Sequence, residues 1–361
     1  MSESALSLIP AAVERSKVPP VELAMVPRDL LGALGAVVDP RARRGVRHQC
    51  RSVLGIAVCA VLAGARSYVA IAEWAADLTS TVRVRLGLGR RAPCESTIRR
   101  VLQRLDAEQL DRVVCAWLAA VASAQSTPLG GPVIAVDGKT ARGARRDGDR
   151  AAHLLAAFDT ATGVVLGQSV VDGKTNEISA FAPLLDRIEV TGKLVTADAL
   201  HTQRGHVDYL TGRGAHYLLT VKGNQPSLLA QLRALPWEQV PVADRTRDTG
   251  HGRAETRTIK LTQIAAGIGF PHATTALQIV RRTRRTSRRW HTETVYAITD
   301  LTVRQATPAE LADALRAHWG IENRLHWVRD VTFTEDLSQI RTAAGPAVMA
   351  QGVGKVVVSR R

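Results

Sequence analysis

The chain has 361 residues, 45% of them hydrophobic, and a formal net charge of +15, with a sequence pI of about 10.6. That length and apolar content exclude a wholly disordered chain and leave room for two or three domains with real cores. The positive surplus favours a polyanionic partner through counterion release, and the arginines are clustered rather than spread.

The four cysteines, Cys50, Cys59, Cys94 and Cys115, form no Cys-x-x-Cys pair, so neither a zinc site nor a disulfide framework is indicated. Residues 1–17 lack the basic start and apolar core of a signal peptide. The apolar run 53–65 is too short to span a bilayer. The expectation is a protein of a reducing cytosol with no membrane partner.

In chain order, residues 1–27 read as a mobile arm. Residues 28–127 read as a helical domain, with helices around 30–38, 53–63, 69–78, 96–105 and 107–124 from apolar spacing. Ser96 to Arg100 could open a recognition helix. Five arginines, Arg41, Arg43, Arg44, Arg47 and Arg51, crowd one loop. Residues 126–132, with Pro and Gly-Gly, read as a linker. The period then changes. Strands are expected at 133–136, 153–159, 164–171, 194–197 and 216–221, and helices at 178–188, 201–213 and 226–235. That order describes a mixed α/β sheet with helices packed on it, in a catalytic domain spanning 131–361. Residues 237–303 read as a β-rich insertion, with strands at 255–261, 276–282 and 290–300. Thr307-Pro308-Ala309-Glu310 is a capping box with Pro at the first helical position.

Three acids stand where an unpaired acid is costly. Asp137 closes the apolar run 132–136 and Asp198 the run 193–197. Glu322 lies in His318-Trp319-Gly320-Ile321-Glu322-Asn323. Buried carboxylates need partners, and a divalent cation gathers several. Two-ion phosphoryl transfer needs carboxylates from separate elements converging on ions about 4 Å apart. Taken singly, each acid is more readily a turn former or a helix cap; the basic charge and the element order together favour the site. Val-Asp-Gly-Lys-Thr occurs twice, at 136–140 and 171–175, so Asp172 competes with Asp137. Asp137 is preferred because it pairs with a downstream strand-end acid, Asp198, in the sheet core.

Six phrases in order resemble insertion-sequence transposases of the ISAs type, which include the H-repeat-associated proteins. They are Ile134-Ala-Val-Asp137-Gly-Lys-Thr-Ala-Arg-Gly143, Lys174-Thr-Asn-Glu-Ile178, Val195-Thr-Ala-Asp198-Ala-Leu-His-Thr-Gln203, Val221-Lys-Gly-Asn-Gln225, His251-Gly-Arg-Ala-Glu-Thr-Arg257, and His318-Trp-Gly-Ile-Glu322-Asn-Arg-Leu-His-Trp327. The resemblance spans nearly the whole chain after the arm. It implies a ribonuclease-H-like fold with a DDE triad at Asp137, Asp198 and Glu322, settling the duplicated motif in favour of its first copy. With it come metal-dependent DNA strand cleavage and strand transfer using Mg²⁺, with Mn²⁺ as substitute. The expected partner is double-stranded DNA, both terminal repeats and target, bound by a homodimer.

Several residues read as the supporting set. Lys139 and Arg142 follow Asp137 in an expected loop and suit phosphate contacts. Lys222, Asn224 and Gln225 could hold a DNA backbone or a flipped base, or simply form a strand-to-helix turn. Arg253 and Arg257 alternate with His251 and Glu255 on one strand face, as DNA contacts or as an ion-pair ladder. Arg281, Arg282, Arg284, Arg285, Arg288 and Arg289 place six like charges within nine residues, which repel unless a polyanion neutralises them. Glu177 reads as an outer group of a metal site or as a helix cap. His318 and His326 flank Glu322 as hydrogen-bonding groups, and Trp319 and Trp327 as core or base-stacking residues. Asp330, Glu335 and Asp336 are reserve acids. Two other readings remain: a related nuclease without strand transfer, and a DNA-binding protein without catalysis. The second rests on residues 351–361, whose glycines and valines make poor helix where relatives continue helically.

Overall fold

The computed structural model describes residues 28–44, 46–123, 133–141, 152–171, 177–250, 252–264, 268–285 and 289–353. The expected arm 1–27, the linker 126–132 and the end of the chain after 353 lie outside them, as do Arg142, Asp172, Lys174, Asn176, His251 and Arg288. The chain divides into two compact units. One draws on Met1–Trp117 and Phe333–Val357, the other on Leu118–Thr332 and Val358–Arg361.

The helical unit contains α1 (Arg28–Leu34), α2 (Cys50–Leu62), α3 (Tyr68–Ala76), α4 (Ser80–Arg85), α5 (Glu95–Arg104) and the first part of α6 (Ala107–Ser123). Its centre is α2, where ten residues are buried from Cys50 to Ala60. An apolar face all round marks a helix surrounded by others. Ser67 caps α3 by accepting from the Ala70 amide at 3.1 Å. Arg41 is pinned to Asp39 at 2.7 Å, so that arginine is structural, while Arg43, Arg44 and Arg47 are exposed. The segment Phe333–Val357, expected in the catalytic domain, groups with this unit.

The second unit is built on one nine-stranded sheet in the order β3-β2-β1-β4-β5-β9-β8-β7-β6. The strands are β1 (Val133–Ala141), β2 (Ala152–Asp159), β3 (Val164–Val171), β4 (Leu194–Ala197), β5 (His216–Val221), β6 (Asp244–Gly250), β7 (Arg253–Gln263), β8 (Thr275–Arg285) and β9 (His291–Thr299). β1, β4 and β5 run parallel, while β2 and β3 form antiparallel hairpins at one side. This is the expected ribonuclease-H-like mixed sheet. One face carries α7 (Glu177–Leu185), α8 (Arg204–Gly212) and α9 (Pro226–Arg233), around a core that includes Val136, Phe181, Leu184, Val207 and Tyr217. The other face carries α10 (Pro308–Ile321), whose Leu311 and Ala314 pack with Leu218, Ile259 and Leu277.

The segment read as a β-rich insertion in the sheet domain forms β6 to β9, and β9 pairs antiparallel with β5, so it extends the main sheet. One expectation changes: β1 does not end at Val136. It runs on to Ala141, with Asp137 opposite Ala156 and Lys139 opposite Leu154. The Asp-Gly pair is therefore extended strand, because β2 supplies ladder partners that a turn would forgo.

Candidate active site

Strand alternation decides which side chains meet. On β1, Ile134 and Val136 point to the α7 side and join its core, while Val133 packs on the α10 side. Alternation puts Asp137 on the α10 side too. On β4, Leu194 packs on the α10 side and the Thr196 hydroxyl lies 3.2 Å from His318 Nδ1 of α10, so Asp198 has the same parity. The parallel register pairs Ala135 with Thr196 and Val136 with Ala197. One position further on, Asp137 and Asp198 stand side by side.

α10 brings the third acid. Thr307 and Glu310 form the expected capping box, and Glu322 sits at the helix's C-terminal end. From Glu322 to His326 the chain winds as a π-helix, a geometry that recurs at functional sites. There Glu322 Oε2 and His326 Nδ1 lie 2.9 Å apart, and His326 Nδ1 lies 3.6 Å from Asp137 Oδ2. Asp137, Asp198, Glu322 and His318 line one cavity of about 400 Å³ together with Lys222, Arg257, Arg281 and Trp319.

The electrostatics are those of a site short of positive charge at its centre. Burial pushes Asp137 up to about 7. The charges of Asp198, Glu322 and Glu177 add to this, and the hydrogen bond from the Gly138 amide opposes it. Burial lowers His326 despite its bond to Glu322, and pushes His318 down to about 4. Asp137, Glu322 and His326 offer ligand atoms all within 4.8 Å of one another. A divalent cation fits this donor set, since it would replace the proton that burial and repulsion otherwise force onto Asp137. Asp198 lies outside that tight group. Its carboxylate also accepts from the Leu200 amide at 3.0 Å as the cap of a 3₁₀ turn, so cap and site acid are the same residue.

A further cluster of ionisable groups lies on the other face of β1. Glu177, at the start of α7, lies 2.5 Å from His153 Nε2 and 3.4 Å from His201 Nε2. The contact with His201, with that of His153 beside it, holds its carboxyl below the usual range against burial. A β-carbon at Gly138 would overlap this carboxylate, so glycine beside Asp137 is a packing requirement. His326 is the hydrogen-bonding neighbour of Glu322 that the sequence suggests, and Glu177 stands near the site; the approach of His326 to Asp137 and the pairing of Glu177 with His153 and His201 were not anticipated, since those histidines are scattered along the chain.

Several expected DNA contacts take other places. Lys139 is 8% exposed and ion-paired to Asp330, so it ties β1 to the π-helical segment instead of offering a surface charge. Asn224 Nδ2 donates to the Ala199 carbonyl at 2.5 Å and Gln225 Nε2 to the Thr202 carbonyl at 2.8 Å. Both amides brace the turn that carries Asp198. Arg253, Arg257 and Arg281 converge on Glu255, so the ladder alternative holds among them. Of these, Arg257 and Arg281 also face the cavity. Arg282, Arg284 and Arg285 are exposed. Trp319 and Trp327 are 59% and 51% exposed, not core.

Residues 128–352 match the family model described as Transposase DDE domain, and residues 31–118 match the one described as DDE_Tnp_1-associated. The chain belongs to the DDE-domain transposase family. Its relatives include "Putative transposase YncI" of Escherichia coli O157:H7, 29% identical over 92% of this chain and 87% of the relative. The "H repeat-associated putative transposase YhhI" of Escherichia coli K12 is 26% identical over 92% and 90%. Among solved structures the chain is similar to a piggyBac transposase synaptic complex with hairpin DNA, at TM-score 0.43 and 10% identity, over 96% of this chain and 73% of that one. That likeness is too loose for residue-level comparison. A DDE transposase of an insertion sequence is a phosphoryl-transfer enzyme of a family that generally uses divalent metal. No helix among the described residues is long and apolar enough to cross a membrane.

Proposed function

We propose that this transposase binds the terminal repeats of its insertion sequence and, as a homodimer on DNA, cleaves and transfers strands through Asp137, Asp198 and Glu322. The observation that carries the reading is the meeting of these acids in one cavity, with Asp137 pushed up to about 7. Asp137, Glu322 and His326 would hold one divalent ion, and Asp198 approaches from the adjacent strand. Bound Mg²⁺, or Mn²⁺ in its place, supplies Lewis-acid activation of an attacking hydroxyl and neutralises charge at the leaving oxygen. Lys222, Arg257 and Arg281 line the cavity wall, where their charges attract a phosphodiester and offset its anionic oxygens. His326, buried and bonded to Glu322, fixes that carboxylate's rotamer. Arg324 donates to the Thr160 carbonyl at 3.0 Å and so anchors the turn bearing Glu322 to the β2–β3 hairpin.

The test is magnesium-dependent cleavage of the DNA flanking the protein's own gene, followed by joining of the freed ends to a target duplex. Asp137→Asn and Asp198→Asn should each lower cleavage by roughly a thousandfold or more while end binding persists. Cleavage retained in either variant rejects the assignment. Cleavage without joining would identify a nuclease. The mass of the complex on paired ends reads the number of copies.

A further inference from the structure

The four strands β6 to β9 form an arm whose two faces carry different charge. Strand pairing sets the faces. Arg257 pairs with Thr246 and Arg281, and Arg281 with Glu293. This row faces the cavity. The neighbouring row, Arg247, Thr256, Arg282 and Thr292, points the opposite way, because successive strand side chains alternate. All four acids of these strands, Asp244, Asp248, Glu255 and Glu293, fall on the cavity face. The opposite face holds Arg245, Arg247, Lys260, Arg282 and Arg284 and no acid at all. Lys260 is occupied by the Trp237 carbonyl. The four arginines are exposed.

Four exposed cations gathered on one face repel one another unless something offsets them. One partial offset is present. Trp290, 41% exposed, has the guanidinium carbons of Arg282 and Arg284 5.3 and 5.2 Å from its ring centre, within cation–π range. It aligns the two cations and neutralises neither. Around them stand Thr249, Thr292 and Thr294, all exposed, whose hydroxyls suit phosphate oxygens. Apart from Trp290 this end of the face offers no exposed large apolar residue, whereas a protein-binding patch would have an apolar core.

We infer that this acid-free face is a contact surface for the backbone of duplex DNA, separate from the catalytic face. The inference rests on the reading of the cavity as a DNA-processing site, since the same strands then meet DNA on both sides. Four strands span roughly 14 Å, and duplex DNA carries one charge per about 1.7 Å of its axis, so several phosphates fall within reach at once. Because the two rows point to opposite sides of a single sheet layer, the outer arginines hold a different stretch of duplex from the one at the acids. The cavity face, with its four acids among its arginines, reads a phosphate locally; the outer face holds DNA by charge, without regard to sequence.

The experiment measures affinity of the full chain for a random-sequence duplex by fluorescence anisotropy over a salt series, without magnesium. Replacing Arg245, Arg247, Arg282 and Arg284 together by Gln should flatten the log–log salt slope by roughly 3 to 4, about 0.9 per phosphate contact. Lys at the same four positions should restore the slope. If the fourfold Gln variant does not fold, the pairs Arg245→Gln with Arg247→Gln, and Arg282→Gln with Arg284→Gln, should each remove about half. Adding Arg257→Gln and Arg281→Gln should lower log affinity by an independent, additive amount. A slope within about one unit of the parent's, or losses from the two faces that fail to add, overturns the inference. The result does not depend on cleavage: a parent that binds with the expected slope but never cuts its flanking DNA loses the transposition reading and keeps this surface.

Discussion

Asp137 and His318 titrate in opposite senses across one helix–sheet contact. Asp137 rises from 3.8 to about 7 on folding, so its contribution to stability is present below 3.8 and lost as pH rises through 7. His318 falls from 6.5 to about 4, so its contribution is present above 6.5 and lost as pH falls through 4. The ceilings are about 4 and about 3 kcal/mol. Between pH 4 and 6.5 the two oppose each other. Melting temperature across that window, in chelating buffer, should rise more steeply with pH in Asp137→Asn, where only the histidine branch remains, and should fall with pH in His318→Gln. Equal slopes in both variants would contradict the assignment. Magnesium should stabilise the parent most at the alkaline end, because the cation needs the charged carboxylate. The sequence singled out Asp137 and Asp198 as acids closing two apolar runs, and both line one cavity. His326 was legible as a partner of Glu322 but not as a neighbour of Asp137, because that contact depends on a π-helical winding that no spacing rule anticipates. Lys139 was misjudged for a related reason: the strand continues past the Asp-Gly pair and buries it beside Asp330.

Elements were legible where a continuous apolar run is buried on both faces. β3, β4 and β5 carry apolar runs and fall where the sequence places them. β6, Asp244–Gly250, has no apolar residue and a mostly exposed pattern, so periodicity could not show it; only pairing with β7 makes it a strand. Asn224 and Gln225 raise the same difficulty, since an amide after a strand suits DNA or a turn equally. Their bonds to the Ala199 and Thr202 carbonyls join the start of α9 to the turn capped by Asp198. Each such bond contributes on the order of 1 kcal/mol. Asn224→Ala combined with Gln225→Ala should therefore lower cleavage by roughly tenfold through a displaced Asp198, with the salt slope of DNA binding unchanged. A flattened slope would return both residues to the DNA interface.

At the scale of the whole chain, the polypeptide leaves the sheet unit at Thr332 and contributes Phe333–Val357 to the helical unit it began with. The six phrases and the change of period outlined the two units; this return was hidden, because the segment has only short helical turns and no sustained period. Its packing is nonetheless firm. The Gln339 amide donates to the Arg66 carbonyl at 2.9 Å, Gln103 bonds the Thr342 hydroxyl, and Ile340 and Val348 are 2% and 0% exposed. Gly345 lies against the Tyr68 hydroxyl and Ile340, with no room for a β-carbon. Within the sheet unit, α10 is held by Leu311 and Ala314 against the sheet. Ending the chain after Thr332 should then unfold the helices first. Two buried side chains at about 1.5–3 kcal/mol each, with the lost backbone bonds, amount to much of the 5–15 kcal/mol typical of a domain. Hydrogen exchange should show α2, α3 and α5 losing protection while β1, β4 and β5 keep it. Loss of protection in the strands with the helices intact would overturn this order and mean that the helical unit is complete without the segment.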